Sequence, residues 1–348
     1  MRKIFACLLL FFCSSLSFAQ TTGSTLPNAT SIRYSIKIDA GDTIWGGTNN
    51  SGLSKYFNGI QTYYNTSNSG ISSNRCQALS IDSTGNIWSG GHNGISIFNH
   101  VNWTLLNTGN SGIPGDTVLS ILHTANGAWI GTSRGLCYYD GNTWITYSTG
   151  NSGLLNDSVI CIAVNNNTIY TGHPNGISRL DGNWTTWDKT TTGLGSPFMQ
   201  MLVCAGRLWV SQNSLDLSYL DQNNFVRYLS LLNNFSDRQQ YYNNYNRQNG
   251  LASDDNGNIL FVSPNQYRSS LVRILPSLKI EISLINPITF SFSSLFANSV
   301  CKGNEFYISG FNGGVKKIDF DTTAFLSKAY LAGNENDYLD VNNATARI

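Results

Sequence analysis

Among the side chains able to carry proton-transfer chemistry near neutral pH are four histidines, His92, His100, His123 and His173. His92 and His173 stand in similar settings, WSGGHNG and YTGHPNG, four and three residues after an aromatic residue. Brought across a shared opening, they could act as general acid and base, or hold a metal together with a carboxylate. The acidic residues offer them no partner. Asp39, Asp82 and Asp254 each precede a glycine-containing turn, and their recurrence at one offset reads as hairpin geometry. Asp140-Gly141 and Asp181-Gly182 mark a second recurring hairpin, and no D-x-D-x-D-G calcium loop is present. With no motif joining the histidines, the expectation is a protein without metal or cofactor.

Seven cysteines are present, of which Cys76, Cys137, Cys161, Cys204 and Cys301 follow the N-terminal segment. They are odd in number and form no C-x-x-C pattern. Cys161 and Cys204 fall at first-strand positions of adjacent repeats and are the one pair with disulfide potential; the others read as small buried hydrophobes.

The elements that must position these residues come from a repeat. DTIWGG, GNIWSG, NGAWIG, NTIYTG and GRLWVS carry aromatic anchors at Trp45, Trp88, Trp129, Tyr170 and Trp209, separated by 43, 41, 41 and 39 residues. GNILFV around Leu260 and NEFYIS around Tyr307 are weaker copies. Within the third unit, TVLSILHT, AWIGT, LCYYD and TWITYST are short runs rich in β-branched and aromatic residues, bounded by Gly, Asn or Asp. Four antiparallel strands repeating every 40 to 45 residues predict an all-β fold, a seven-bladed β-propeller. A β-sandwich would not impose a constant period.

The stretch SIDSTGNIWSGGHNGISIF, Ser80 to Phe98, with a following W-x-x-Y and the recurring NSG at Asn68, Asn110 and Asn151, resembles the two-component regulator propeller repeat. The resemblance covers roughly residues 30 to 195 and fades in the last three units. It implies a propeller of the kind found in periplasmic sensor halves of receptors for glycan fragments, or standing alone as a secreted protein. Kinase, DNA-binding and transmembrane segments of such receptors are absent from this sequence. Streptogramin lyases are also seven-bladed propellers with histidine chemistry on one face, which keeps a lyase or hydrolase as the alternative to a binding protein.

Variable positions fall in the turns between second and third strands, among them Asn49, His92, Arg134, His173 and Arg268. The step from Trp209 to Leu260 is 51 residues, and its excess lies near Arg238 to Arg247, between blades five and six. This insertion, QQYYNNYNRQN, has the tyrosine and amide composition of recognition loops. Its connection shares an end of the propeller with the variable turns. The expected ligand site is therefore His92, Arg134, His173, Tyr241, Tyr242 and Arg268, facing a glycan or an extracellular protein.

A net charge of +1 with 12% charged residues lacks the basic excess that nucleic acid requires. Arg2 and Lys3 precede an apolar run from Ile4 to Phe12, and Ser17 and Ala19 precede Gln20, the pattern of a signal peptide over residues 1–19. No later run is long enough to span a bilayer. The reading is a secreted or periplasmic chain with one propeller domain over residues 20–348. Phe12 is too bulky before Cys13 for the usual lipidation site. The intact mass of exported protein should therefore correspond to an unacylated chain beginning at Gln20; a diacylglyceryl-modified Cys13 as first residue would overturn this.

Overall fold

The computed structural model describes residues 20–21, 23–25, 32–192, 194, 198–212, 216–230, 251–263, 270–278, 280–285, 296–303, 305–310, 314–319 and 326–328. They form the predicted seven blades, each built on four antiparallel strands, with two short strands added at the outer edge of blade 6. Blade 1 comprises Ile32–Ile38, Ile44–Thr48, Leu53–Phe57 and Ile60–Tyr64; blade 2, Ala78–Ile81, Ile87–Gly91, Gly94–Phe98 and Trp103–Leu106. Blade 3 runs Val118–Thr124, Gly127–Thr132, Gly135–Tyr139 and Trp144–Tyr147; blade 4, Cys161–Asn165, Thr168–His173, Gly176–Leu180 and Trp184–Asp188. Blade 5 has Phe198–Cys204, Arg207–Gln212, Asp216–Asp221 and Asn224–Ser230, and blade 6 Leu251–Ser253, Ile259–Ser263, Ser270–Ile274 and Ile280–Ile285. In each blade the first strand is innermost, and each first strand contacts that of the next blade until blade 7 returns to blade 1. The helix Lys189–Thr192 follows blade 4, and among the described residues no helix is long and apolar enough to cross a membrane.

Blade 7 is completed from the other end of the chain. Phe296–Lys302, Glu305–Gly310 and Gly314–Asp319 supply three strands, and Gly23–Thr25 pairs antiparallel with the third as the outermost. Gln20–Thr21, just before it, pairs parallel with the outer strand of blade 6 at Leu284 and Ile285. Leu326–Lys328 occupies the other half of that same edge, opposite Ile280–Ile282.

The seven anchors, Trp45, Trp88, Trp129, Tyr170, Trp209, Leu260 and Tyr307, all lie on second strands and are all buried. They fill the seams between blades. Trp45 and Leu53 pack with Leu79 and Ile87 of blade 2, Trp88 and Ile95 with Val118 and Ile130 of blade 3, and Tyr170 and Ile177 with Leu208 and Val210 of blade 5. Two residues beyond the anchor stands a glycine in blades 1 to 4. A Cβ at Gly47 would lie 2.4 Å from the Cys76 carbonyl oxygen, and one at Gly131 would lie 2.6 Å from that of Val159, both in the following blade. The anchor fills the seam and the glycine lets the backbones close.

The NSG element builds the connection between blades. The Asn68, Asn110 and Asn151 side chains each accept from the amide three residues earlier and donate to a carbonyl five residues earlier. The following serine hydroxyl donates to the carbonyl four residues back. Next, Gly70, Gly112 and Gly153 press on Trp103, Trp144 and Trp184, with no room for a side chain. Ile71, Ile113 and Leu154 then plug the seam as buried residues.

One further interaction links the connections into blades 2 and 4 to those blades. The Ser72 amide donates to Ser96 Oγ at 2.9 Å, and the Leu155 amide to Ser178 Oγ at 3.0 Å. In blade 3 the equivalent connection residue is Pro114, which has no N–H, and the equivalent acceptor is Cys137, fully buried. Where the donor is lost, the polar acceptor is replaced by a small apolar group. The five cysteines are free thiols, and Cys161 and Cys204 do not form the expected disulfide. Cys161 pairs with Gly172, two residues beyond its blade's anchor, whereas Cys204 pairs with Arg207, two before. They thus stand four strand positions apart, about 13 Å along the strands, beyond disulfide reach. Cys76 lies just before the first strand of blade 2.

The Pro114–Cys137 pairing yields a double-mutant test. Cys137→Ser should lower stability by about 1–3 kcal/mol, because it buries a hydroxyl without its amide donor. Pro114→Ser in that background should recover part of the loss, measured by chemical denaturation; full additivity of the two changes would show that the positions are not coupled.

Candidate functional site

Antiparallel order puts the turns between second and third strands, and the connections from fourth strand to next blade, on one end of the propeller. His92 and Arg134 lie there, both exposed. Their turns are neighbours through the connection that leads into blade 3. The Gly94 amide donates to the Asp116 carbonyl at 2.7 Å, and Gly115 lies against the Arg134 side chain, a Cβ there falling 3.1 Å from Arg134 Cβ. Thr132 Oγ1 accepts from the Arg134 amide at 3.0 Å and donates to the Gly135 carbonyl, fastening the turn that presents the guanidinium. Asn93 Nδ2 donates to the Ser72 carbonyl, which ties the His92 turn to the preceding connection.

Arg75 extends this arc and was not evident in the repeat comparison, because it sits on a connection rather than in a turn. Its carbonyl oxygen lies 2.3 Å from where a Cβ on Gly91 would project, next to His92. The arc therefore carries Arg75, His92 and Arg134. The nearby carboxylates are committed to the framework: Asp116 accepts from the Thr108 amide and hydroxyl, and Asp157 does the same for Thr149. Such an arrangement suits hydrogen bonding to hydroxyl, amide or anionic groups of a ligand. Tyr241, Tyr242 and Arg268 lie outside the described residues.

His173 does not join the arc. Its side chain is completely buried, with both ring nitrogens engaged by the protein. Nδ1 lies 3.0 Å from the Ser158 carbonyl oxygen, which can only accept, so Nδ1 carries the proton and Nε2 accepts from Thr171 Oγ1 or Ser178 Oγ. The physical reason is a single residue of offset. His173 stands three residues after its anchor, the position of Thr48 and Thr132, whose hydroxyls fasten their turns from inside. His92, four after its anchor, is past the strand end and turned outward. The alternative in which His92 and His173 act together as acid and base loses its second member.

His100 and His123 serve the framework too. His100 Nε2 meets the Gly85 carbonyl, and His123 Nδ1 meets Ser80 Oγ across the seam while its ring stands edge-on to Trp88 at 4.7 Å. Asp82 supports the same Trp88. Its carboxylate accepts from the Thr84 and Asn86 amides and side chains and, at 3.0 Å, from Trp88 Nε1. Despite opposing desolvation, these donors hold Asp82 at about 2. Asp39 holds Trp45 Nε1 at 2.9 Å in the same way. The hairpin reading of these aspartates holds, with the anchor indole as an added donor. Among the described residues, no group of three or more His, Cys, Asp or Glu side chains could hold a metal ion.

Burial pushes the His173 imidazole down to about 4. An unfolded histidine protonates near 6.5, so the unfolded chain binds the extra proton between these values. Stability from this group is complete above about pH 6.5 and is lost as pH falls toward 4, by at most about 3 kcal/mol. His173→Gln should flatten the slope of unfolding free energy in that window, measured by denaturant titration at each pH. An unchanged slope would remove His173 as its source.

No family model matches the sequence, and no curated protein matches it either. Solved structures do match in shape. The extracellular domain of a putative hybrid two component system from B. thetaiotaomicron superposes with a TM-score of 0.65 at 18% identity, covering 87% of this chain and 41% of that one. A catalytically inactive virginiamycin B lyase from Staphylococcus aureus, solved with quinupristin, gives 0.62 at 14% identity over 86% of this chain and 99% of its own. PorZ, a bacterial surface component of the type-IX secretion system of Porphyromonas gingivalis, gives 0.57 at 11% identity over 90% of this chain and 40% of its own. At these identities the likeness is one of fold: the chain is a seven-bladed β-propeller of the architecture that two-component extracellular domains carry.

Proposed function

We propose that this protein is an exported, non-enzymatic propeller that binds a glycan on the end of the ring carrying Arg75, His92 and Arg134. The observation that carries the proposal is a division of labour. The repeated polar residues are spent on holding blades and connections together, whereas His92 and Arg134 are exposed on adjoining turns. Guanidinium and imidazole groups over a polar surface of Asn and Ser side chains supply the bidentate and single hydrogen bonds that sugar hydroxyls and carboxylates accept. The segment 231–250 joins blade 5 to blade 6, and its Tyr241 and Tyr242 would add stacking surfaces at the same end. Export is supported by the signal-like first 19 residues and by fold likeness to extracellular domains.

Screening on an array of immobilised bacterial and plant polysaccharides should identify a bound glycan. His92→Ala or Arg134→Ala should each weaken that binding about five-fold or more, and deleting residues 238–247 should weaken it with the thermal midpoint preserved. Asn142→Ala, in the turn between third and fourth strands at the opposite end of the ring, should leave affinity unchanged. Full glycan binding by the His92→Ala, Arg134→Ala double variant, or a catalytic turnover dependent on His92, would overturn the proposal.

A further inference from the structure

A two-residue hairpin whose central residues both sit at positive φ favours Asn-Gly. Asn58 and Gly59 form such a turn between the third and fourth strands of blade 1, with φ of 49° and 79°, closed by the pairing of Phe57 with Ile60. The same dipeptide begins at Asn93, Asn126, Asn175 and Asn256, and two more copies, at Asn249 and Asn312, lie outside the described residues. An asparagine followed by glycine carries its own electrophile and nucleophile, the side-chain carbon Cγ and the next backbone nitrogen, with no Cβ on the glycine to obstruct their approach. Whether the two meet depends on how firmly the peptide unit between them is held.

Four of the five described copies are held. The Gly94 amide donates to the Asp116 carbonyl at 2.7 Å, and Asn93 Nδ2 to the Ser72 carbonyl at 2.9 Å. The Asn126 carbonyl accepts from the Tyr138 hydroxyl, and the Asn175 carbonyl accepts from the Lys189 amide at 2.9 Å, with Asn175 Oδ1 itself buried. The Gly257 amide donates to the Asp254 carbonyl at 3.1 Å. Packing adds to this: a Cβ on Gly94, Gly127 or Gly176 would lie 2.1, 2.3 or 2.1 Å from the carbonyl oxygen of Leu106, Tyr139 or Trp187. Asn58-Gly59 has none of these restraints. Among the described residues no hydrogen bond engages the Asn58 side chain, its carbonyl or the Gly59 amide, both residues are exposed, and nothing lies within 4 Å of a Cβ built on Gly59. Register is the cause. At Gly94, Gly127 and Gly176 the glycine is already a strand residue, paired with Gly91, Thr124 and His173. In blade 1 the dipeptide stands one position earlier in the turn, so its glycine amide falls outside the ladder.

We propose that Asn58 is a self-modifying site, converted through a cyclic imide to aspartate and isoaspartate while the other four asparagines are protected by the fold. Hydroxide takes the Gly59 amide proton, the nitrogen bonds to Asn58 Cγ, and the side-chain nitrogen leaves as ammonia. Water then opens either carbonyl of the imide, so the sum is one water consumed and one ammonia released with no change of oxidation state. The product places a carboxylate between the exposed Phe57 and Ile60 and, as isoaspartate, lengthens the backbone of the turn by one methylene. This turn is at the opposite end of the ring from the proposed glycan face, and neither reading depends on the other.

The test is incubation of the folded protein in mildly alkaline buffer, with peptide mapping over time and isoaspartate detected by enzymatic methyl transfer. Asn58 should convert at least about five-fold faster than Asn93, Asn126, Asn175 or Asn256, because each of those must first break a hydrogen bond by local opening. In denaturant the five rates should converge, since the shared Asn-Gly chemistry then acts without the fold. Asn58→Gly, which keeps a residue suited to positive φ in the turn, should remove the fast component. An Asn58 that stays intact in folded protein, equal rates at all five sites before unfolding, or a rate order that denaturant leaves unchanged would overturn the proposal.

Discussion

The structure depends on how closely two blades can approach. A flat four-stranded sheet has two apolar faces and must cover both, which only a ring of similar sheets achieves. The approach is set by a large ring and a missing one: an aromatic anchor on the second strand fills the seam, and a glycine two residues on leaves the next blade room for its carbonyl. Burial of aromatic area supplies the attraction, and the absence of a Cβ sets how close it can act. Polar groups that this closure would strand are matched pair by pair, as the indoles of Trp45 and Trp88 are by Asp39 and Asp82.

That logic decides which residues remain for function. In the NSG connections the Asn and Ser side chains close their own loop, and the Thr108–Asp116 and Thr149–Asp157 pairs brace the next turn. A residue recurring in this way is bound into the framework however reactive its type. His173 is the clearest case: imidazole chemistry is available in principle, yet the ring is a buried brace between Ser158, Thr171 and Ser178. His92 and Arg134 differ because the turn geometry does not need their side chains.

The architecture was legible in the sequence because the seam uses residue types with few substitutes, tryptophan and glycine, at a fixed period. The roles of Asp82 as indole acceptor and of NSG as a seam plug were not, since both need the neighbouring strand in place before the contact exists. The reading of His173 failed by one position: three and four residues past the anchor look alike in a sequence, but the first ends a strand facing inward and the second begins a turn. Ring closure was equally hidden. Gly23–Thr25, sequence GST, has neither length nor apolar alternation to announce a strand; its pairing is imposed by the open edge of Gly314–Asp319.

That closure sets a condition on how the molecule assembles. Gly23 pairs with Ile318, so nearly the whole chain lies inside the loop that this contact closes. A ribosome delivers the N-terminal strand first, yet its partner arrives near the end of synthesis, after six blades have had time to form. The early strand must wait as an unpaired ribbon, and the circle locks only when the final edge appears. Once locked, the segment Gln20–Thr25 spans two blades, and a pull on it would load blades 6 and 7 together. The ring is thus held like a belt whose tongue was made before its buckle.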